Sequence, residues 1–141
     1  MKENYVIVSA CLAGINCRYD GKNNKNEKVL KFMEKNKCIL VCPEQLGGLP
    51  TPRTPAEIIK DKVIDKNGKD VTQNFLTGAK EALKIAKLYK AQKALLKAKS
   101  PSCGSKEVYD GTHSGKLIKG KGITAELFEN NEIEVINEND I

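Results

Sequence analysis

Val6-Ile7-Val8-Ser9-Ala10-Cys11 and Cys38-Ile39-Leu40-Val41-Cys42 decide the fold. Each is a short apolar run rich in β-branched residues that leads to a cysteine and then a loop. Neither is long enough for a helix of its own, so residues 5–9 and 38–42 read as buried strands. Residues 94–98 read as a third strand and 133–136 as a last one. Helical patterns lie between them. Over 26–36, Val29, Leu30, Phe32 and Met33 recur at helical spacing. Thr72 reads as the N-cap of a helix of about 18 residues with Phe75, Leu76, Ala79, Leu83, Ala86 and Tyr89 on one face. A short helix at 124–130 precedes the last strand. Residues 57–71 read as a hairpin turning at Lys66-Asn67-Gly68. Residues 10–24, 43–56 and 99–122 read as loops, the second holding Pro43, Pro50, Pro52 and Pro55, the third five glycines. Strands alternating with helices predict an α/β fold. We expect a single three-layer, Rossmann-like domain over 1–141, with a mainly parallel sheet and helices on both faces.

A chain of 141 residues can bury a core without staples. No stretch approaches the roughly 18 apolar residues of a membrane helix, so no membrane partner is expected. The apolar stretch before Cys11, preceded by Lys2, is too short for a secretion signal. The expected location is the cytoplasm. Net charge is +6, carried almost wholly by lysine, since Arg18 and Arg53 are the only arginines. The lysines are scattered among Glu and Asp. A dedicated nucleic-acid surface clusters its charge and favours Arg. DNA is therefore not an expected partner, and tRNA is not favoured.

Five cysteines, an odd number, cannot all pair, and in a reducing compartment they read as ligands or catalytic groups rather than bridges. Cys11 lies just past the first strand, Cys42 ends the second, and Cys103 follows the third. In an open parallel sheet these ends share one edge, outside which ligands bind. Three cysteines from three strand ends can therefore meet at one point. Cys38 is ~13 Å along the strand from Cys42 and reads as a small core hydrophobe. Cys17 can reach the site and is left open as a fourth ligand, a nearby thiol or a bystander. No Cys-x-x-Cys is present, so spacing does not name the metal. Four thiolates close a structural zinc site, whereas three leave an open position.

Glu44, two residues past Cys42, is the candidate general acid or base. Ser100 and Ser102, in Ser100-Pro101-Ser102-Cys103-Gly104, can donate to a substrate or a thiolate, or simply cap a turn. Gly47-Gly48 and Gly104 allow close backbone approach. Arg18, Tyr19 and Asp20 offer a cation, a ring and a carboxylate in the first loop. Arg53 either binds an anion or braces loops. His113, the only histidine, reads as a surface residue.

The strings Ser9-Ala10-Cys11-Leu12-Ala13-Gly14, Cys17-Arg18-Tyr19-Asp20-Gly21, Cys42-Pro43-Glu44 with Gly47-Gly48-Leu49, Pro52-Arg53, Asp70-Val71-Thr72 and Ser100-Pro101-Ser102-Cys103-Gly104 with Tyr109-Asp110-Gly111 resemble the thiouracil desulfidase family, in order and over nearly the whole chain. The resemblance implies a [4Fe–4S] cluster held by Cys11, Cys42 and Cys103, a catalytic carboxylate at Glu44 and a serine at Ser100 or Ser102. It implies a small thiolated pyrimidine as substrate, and Arg18, Tyr19, Asp20, Gly47 and Gly48 are the loop residues expected to bind it. Sulfur would leave as hydrosulfide, without net electron transfer. Two positions depart from the family pattern: Cys17, often apolar there, and His113, where an aromatic is expected. Rival readings are a zinc module using Cys17 as fourth ligand, an electron carrier with a fully ligated cluster, and a metal-free thiol sulfur transferase with Cys11 or Cys103 as nucleophile.

Overall fold

In the computed structural model, which describes residues 4–141, eight strands and four helices are present. The central sheet holds β1 (Val6–Ser9), β2 (Cys38–Val41), β5 (Lys93–Leu95) and β8 (Glu134–Ile136) in the order β2-β1-β5-β8. Every pairing is parallel, with Val6 opposite both Cys38 and Lys93, and Lys93 opposite Glu134. β1 is central and all four of its residues are buried. β2 is an edge, and Leu40 on it is exposed, so the expectation of a second fully buried strand is corrected. Cys38 packs, partly buried, against the core with Val29, Phe32 and Met33.

Alternation along β1 divides the core between two faces. Val6 and Val8 pack with Leu95 against Val29, Phe32 and Met33 of α1 (Glu27–Lys35). Asn26 starts that helix by accepting hydrogen bonds from the Lys28 and Val29 amides. On the other face Ile7, Ala94 and Leu96 meet Ala82 and Ala86 of α3 (Thr72–Leu88) and Ala125 and Phe128 of α4 (Ile123–Asn130). The fold is thus α/β, with helices on both faces of a parallel sheet.

Four local expectations are corrected. Thr72 does not cap α3. It is the first helical residue, its hydroxyl accepts from the Val63 amide, and Asp70 accepts the Thr72 amide. The hairpin of β3 (Ala56–Ile59) and β4 (Lys62–Asp65) turns at Lys60-Asp61, with Lys60 at φ 58°. Lys66-Asn67-Gly68 makes a second, separate turn, closed by the Asp65 carboxylate on the Asn67 and Lys69 amides. The proline-rich stretch contains a one-turn helix, α2 (Pro43–Leu46), and the glycine-rich stretch contains a hairpin of β6 (Glu107–Tyr109) and β7 (Leu117–Lys119).

Candidate active site

The ends of β1, β2 and β5 supply the site. β1 passes at Ser9 into a 3-10 turn, Ala10–Ala13, that carries Cys11. Asn24 fixes this residue twice: its amide donates to the Cys11 carbonyl at 2.9 Å and its side chain to Sγ at 3.4 Å. After β2, Cys42 is the N-cap residue of α2. Pro43 follows at the first helical position, where its missing N–H and fixed φ cost nothing, and this places Glu44 in the first turn. Past β5, the Ser100–Gly104 turn is locked onto α4. The Pro101 carbonyl accepts from the Ile123 amide and the Ser102 carbonyl from Thr124 and Ala125, satisfying amides at the helix start. At Gly122 a Cβ would stand 2.5 Å from the Ser102 carbonyl carbon, so only glycine permits this contact.

Cys11, Cys17, Cys42 and Cys103 all line one cavity of about 490 Å³. Cys17 is 2% exposed and lines the cavity with Cys11 and Cys42, and the Cys42 thiol donates to the Cys17 carbonyl at 3.8 Å. Keeping a proton on the Cys17 thiol raises its pKa and lowers that of its neighbours. The Cys11 thiol is lowered by the Cys17 hydrogen bond, then by Asn24 and the charge of Lys97. The Cys42 thiol is lowered to about 7 by Cys17 and, more weakly, by the Arg53 charge. Cys103 goes the other way. Burial pushes it up to about 12, although the Ser9 hydroxyl donates to its sulfur at 3.3 Å.

Glu44 lies beside these thiols in a directional chain. Arg53 Nε donates to Glu44 Oε1 at 2.9 Å, and the Ser102 hydroxyl donates to Oε2 at 3.1 Å. Ser100 Oγ accepts from the Ser102 and Cys103 amides, each at 3.1 Å, which occupies its lone pairs. Its proton therefore goes to Ser102 Oγ, 3.0 Å away. The order is Ser100 to Ser102 to Glu44. A carboxylate has about four acceptor positions. Two are taken, and others remain for a water or a substrate N–H. Arg53 braces rather than binds an anion: it also reaches the Cys17 carbonyl, the Pro50 carbonyl and the Thr51 hydroxyl.

The remaining wall includes Arg18, Tyr19, Glu57, Lys97, Tyr109 and His113. Asp20, expected at the substrate, instead holds Arg18 Nε at 2.8 Å and is absent from the lining. Gly47 and Gly48 are also absent from it. Gly47 packs against α3, where a Cβ would fall 1.9 Å from the Asn74 carbonyl oxygen. His113 is not a surface residue: its side chain is 20% exposed, with Nδ1 3.5 Å from Glu57 Oε2. Ser9 was missed as a site residue. Its hydroxyl accepts the Lys97 amide at 2.9 Å and joins two strand ends to Cys103. The available signal was a lone hydroxyl residue closing an apolar strand.

The sequence model of the 2-thiouracil desulfurase family matches residues 6–140, nearly the full chain. The chain belongs to this family. It is 43% identical to the uncharacterized protein YbbK of Bacillus subtilis (strain 168), over 96% of this chain and 97% of that one. It is also similar to a solved structure described as the [4Fe-4S]-dependent thiouracil desulfidase TudS. That match has a TM-score of 0.93 and 39% identity, and covers 99% of this chain and 93% of the other.

The donor set of this 2-thiouracil desulfurase family member fits an iron–sulfur group. Thiolates are the ligands such clusters take, and Cys11 and Cys42 stand where the thiolate is favoured. Among the described residues no group of three or more His, Cys, Asp or Glu forms a ready-made site for a metal ion. The four thiols line the cavity.

Proposed function

We propose that this chain removes sulfur from a small thiolated pyrimidine such as 2-thiouracil, giving the oxo compound and hydrosulfide without net electron transfer. Cys11, Cys42 and Cys103 would hold a [4Fe–4S] cluster, which when bound would supply Lewis-acid chemistry for the thiocarbonyl sulfur. The observation that carries this reading is the convergence of those three cysteines, from three strand ends, on a cavity that also holds Glu44 and Ser102.

The chain's own residues supply the rest. Arg53 and Ser102 hold the Glu44 carboxylate at both oxygens and leave acceptor positions free, so Glu44 takes a proton from water or relays one to a ring nitrogen. Ser100 fixes Ser102 and so sets the direction of that relay. Tyr19, 44% exposed at the cavity wall, offers a ring face for stacking, with Arg18 beside it. Cys17 lines the same cavity as Cys11 and Cys42 and accepts the Cys42 thiol at its carbonyl. With Cys11, Cys42 and Cys103 as ligands, Cys17 would be a nearby thiol that can give its one proton to a neighbouring sulfur, rather than a fourth ligand. A cavity of about 490 Å³ suits a free base better than a tRNA. Cysteines that act as ligands rather than bridges suit a reducing compartment, the cytoplasm. Among the described residues no helix is long and apolar enough to cross a membrane.

The test is anaerobic turnover of 2-thiouracil by wild type and by Glu44→Gln with equal iron content. Wild type is expected to release hydrosulfide and uracil, and the variant to lose at least about 10²-fold of the rate. Full activity in the variant would remove Glu44 from the reaction.

A further inference from the structure

Lys97 interrupts a run that is otherwise buried. Ala94, Leu95 and Leu96 before it and Ala98 after it are all buried, and its own side chain is 25% exposed. It follows β5 by two residues, so it stands at the same edge of the sheet as Cys11, Cys42 and Cys103. Its amide donates to Ser9 Oγ at 2.9 Å, the hydroxyl that in turn donates to Cys103 Sγ. The ammonium is held at two points. Nζ donates to the Ala98 carbonyl at 3.0 Å and lies 2.9 Å from Glu138 Oε2. Glu138 comes from the chain just past β8, its side chain is 10% exposed, and its Oε1 accepts the Ala98 amide at 2.8 Å. One carboxylate thus fixes both the backbone and the cation of this segment.

An ammonium has three donors. Two are spent on Ala98 and Glu138, and one remains. Lys97 and Ala98 both line the cavity, and Lys97 is the cation whose charge weighs most on the Cys11 thiol, which places the ammonium toward that thiol. The other cations of the wall are committed elsewhere or lie outside. Arg53 serves Glu44 and three loop oxygens, Arg18 serves Asp20 and Asn24, and Lys66 and Lys99 are exposed. Desulfuration makes an anion at the thiol end of the cavity. The oxygen of water bonds to the thiocarbonyl carbon, the carbon–sulfur bond breaks and its electrons stay on sulfur. One proton of the water ends on that sulfur and the other leaves by way of Glu44, so the products are the oxo compound, hydrosulfide and a proton, with no electron exchanged. Fixed donors aimed at charge as it develops are the largest single source of rate in many enzymes. We propose that Lys97, held by Glu138, is a catalytic residue that donates its remaining N–H to the departing sulfur and balances the negative charge gathered there. This rests on the desulfidase reading and extends it by naming the group that receives the leaving anion.

The test compares wild type with Lys97→Met and with the double variant Lys97→Met/Glu138→Gln, in which no buried carboxylate is left without its cation. Reconstituted to equal iron content, both variants should lose roughly 10- to 100-fold of the single-turnover rate on 2-thiouracil, the worth of one hydrogen bond to a charged group. Inhibition by sodium sulfide should weaken by at least about 10-fold, while inhibition by uracil stays within about two-fold. A merely structural defect would weaken both. In metal-free, reduced protein at pH 7, alkylation of Cys11 by iodoacetamide should slow in Lys97→Met, because the nearby positive charge is gone. A single-turnover rate near wild type in both variants, sulfide and uracil inhibition that weaken together, or unchanged Cys11 alkylation would overturn the assignment of Lys97 alone. A wild type that turns over no thiopyrimidine would overturn the desulfidase reading and this inference with it.

Discussion

Gly78→Ala sets two effects of opposite sign against each other. In an isolated helix, replacing a mid-helix glycine with alanine is favourable by about 1 kcal/mol. Gly78 lies in the middle of α3, so propensity alone calls for stabilisation. The packing calls for the reverse. A Cβ at Gly78 would fall 1.9 Å from the Pro43 carbonyl oxygen, and a Cβ at Gly47 would fall 1.9 Å from the Asn74 carbonyl oxygen. α2 and α3 therefore meet backbone to backbone, and no flexible side chain is present to yield. Relief requires the two helices to separate by roughly an ångström or more. Overpacking of this kind costs about 1–3 kcal/mol, so the net result is destabilisation. At this chain length each kcal/mol lowers Tm by about 2–4 °C. Function should fall further than stability. Pro43 lies between Cys42 and Glu44, and a shift of about 1 Å at a reacting group costs on the order of 10²-fold. The assay is a melting curve together with anaerobic 2-thiouracil turnover at equal iron content. A Gly78→Ala protein with Tm and rate at or above wild type would refute the reasoning.

Three further outcomes follow from the site. In the cluster-free, reduced protein, alkylation of Cys42 should rise as pH climbs through about 7, while Cys103, pushed up to about 12, stays unlabelled at neutral pH. Peptide mapping after iodoacetamide checks this, and equal labelling at pH 6 and 8 would contradict it. Cys17→Ala removes the largest cause of the low Cys42 value, so that labelling midpoint should move upward, and the variant should still bind iron. The linked stability has a definite sign: a thiol whose folded pKa is lowered contributes stability above its unfolded value of about 8.5, lost as pH falls through about 7. Arg53→Lys should cost most of the activity and about 1–3 kcal/mol in denaturant unfolding, because an ammonium keeps the charge but cannot replace a guanidinium that reaches Glu44, the Cys17 and Pro50 carbonyls and Thr51 with its side chain 6% exposed.

The parallel sheet was legible because its strands are short β-branched or apolar runs, and the convergence of Cys11, Cys42 and Cys103 followed from topology alone. The edge position of β2 was not legible. Its apolar residues look the same whether one face or two are covered, and Leu40 became exposed only through strand order. The β6–β7 hairpin escaped notice because strands of three residues carry no periodicity, and five glycines around them read as loop. The Lys60-Asp61 turn carries no glycine or asparagine signal, whereas Lys66-Asn67-Gly68 advertises a turn that the chain uses for a different purpose. The burial of His113 depends on Glu57, a partner 56 residues away whose reach no local pattern encodes. Cys17 was left open for a similar reason: spacing put it near Cys11, but only packing buries it in the cavity wall beside Cys42.

The most direct test of the central claim is anaerobic reconstitution with iron and sulfide, followed by iron and sulfide counting and a visible spectrum, on wild type and Cys11→Ala. The account predicts about four irons per chain with broad charge-transfer absorption in wild type, lost in the variant. A colourless wild-type protein that takes up no iron would contradict it.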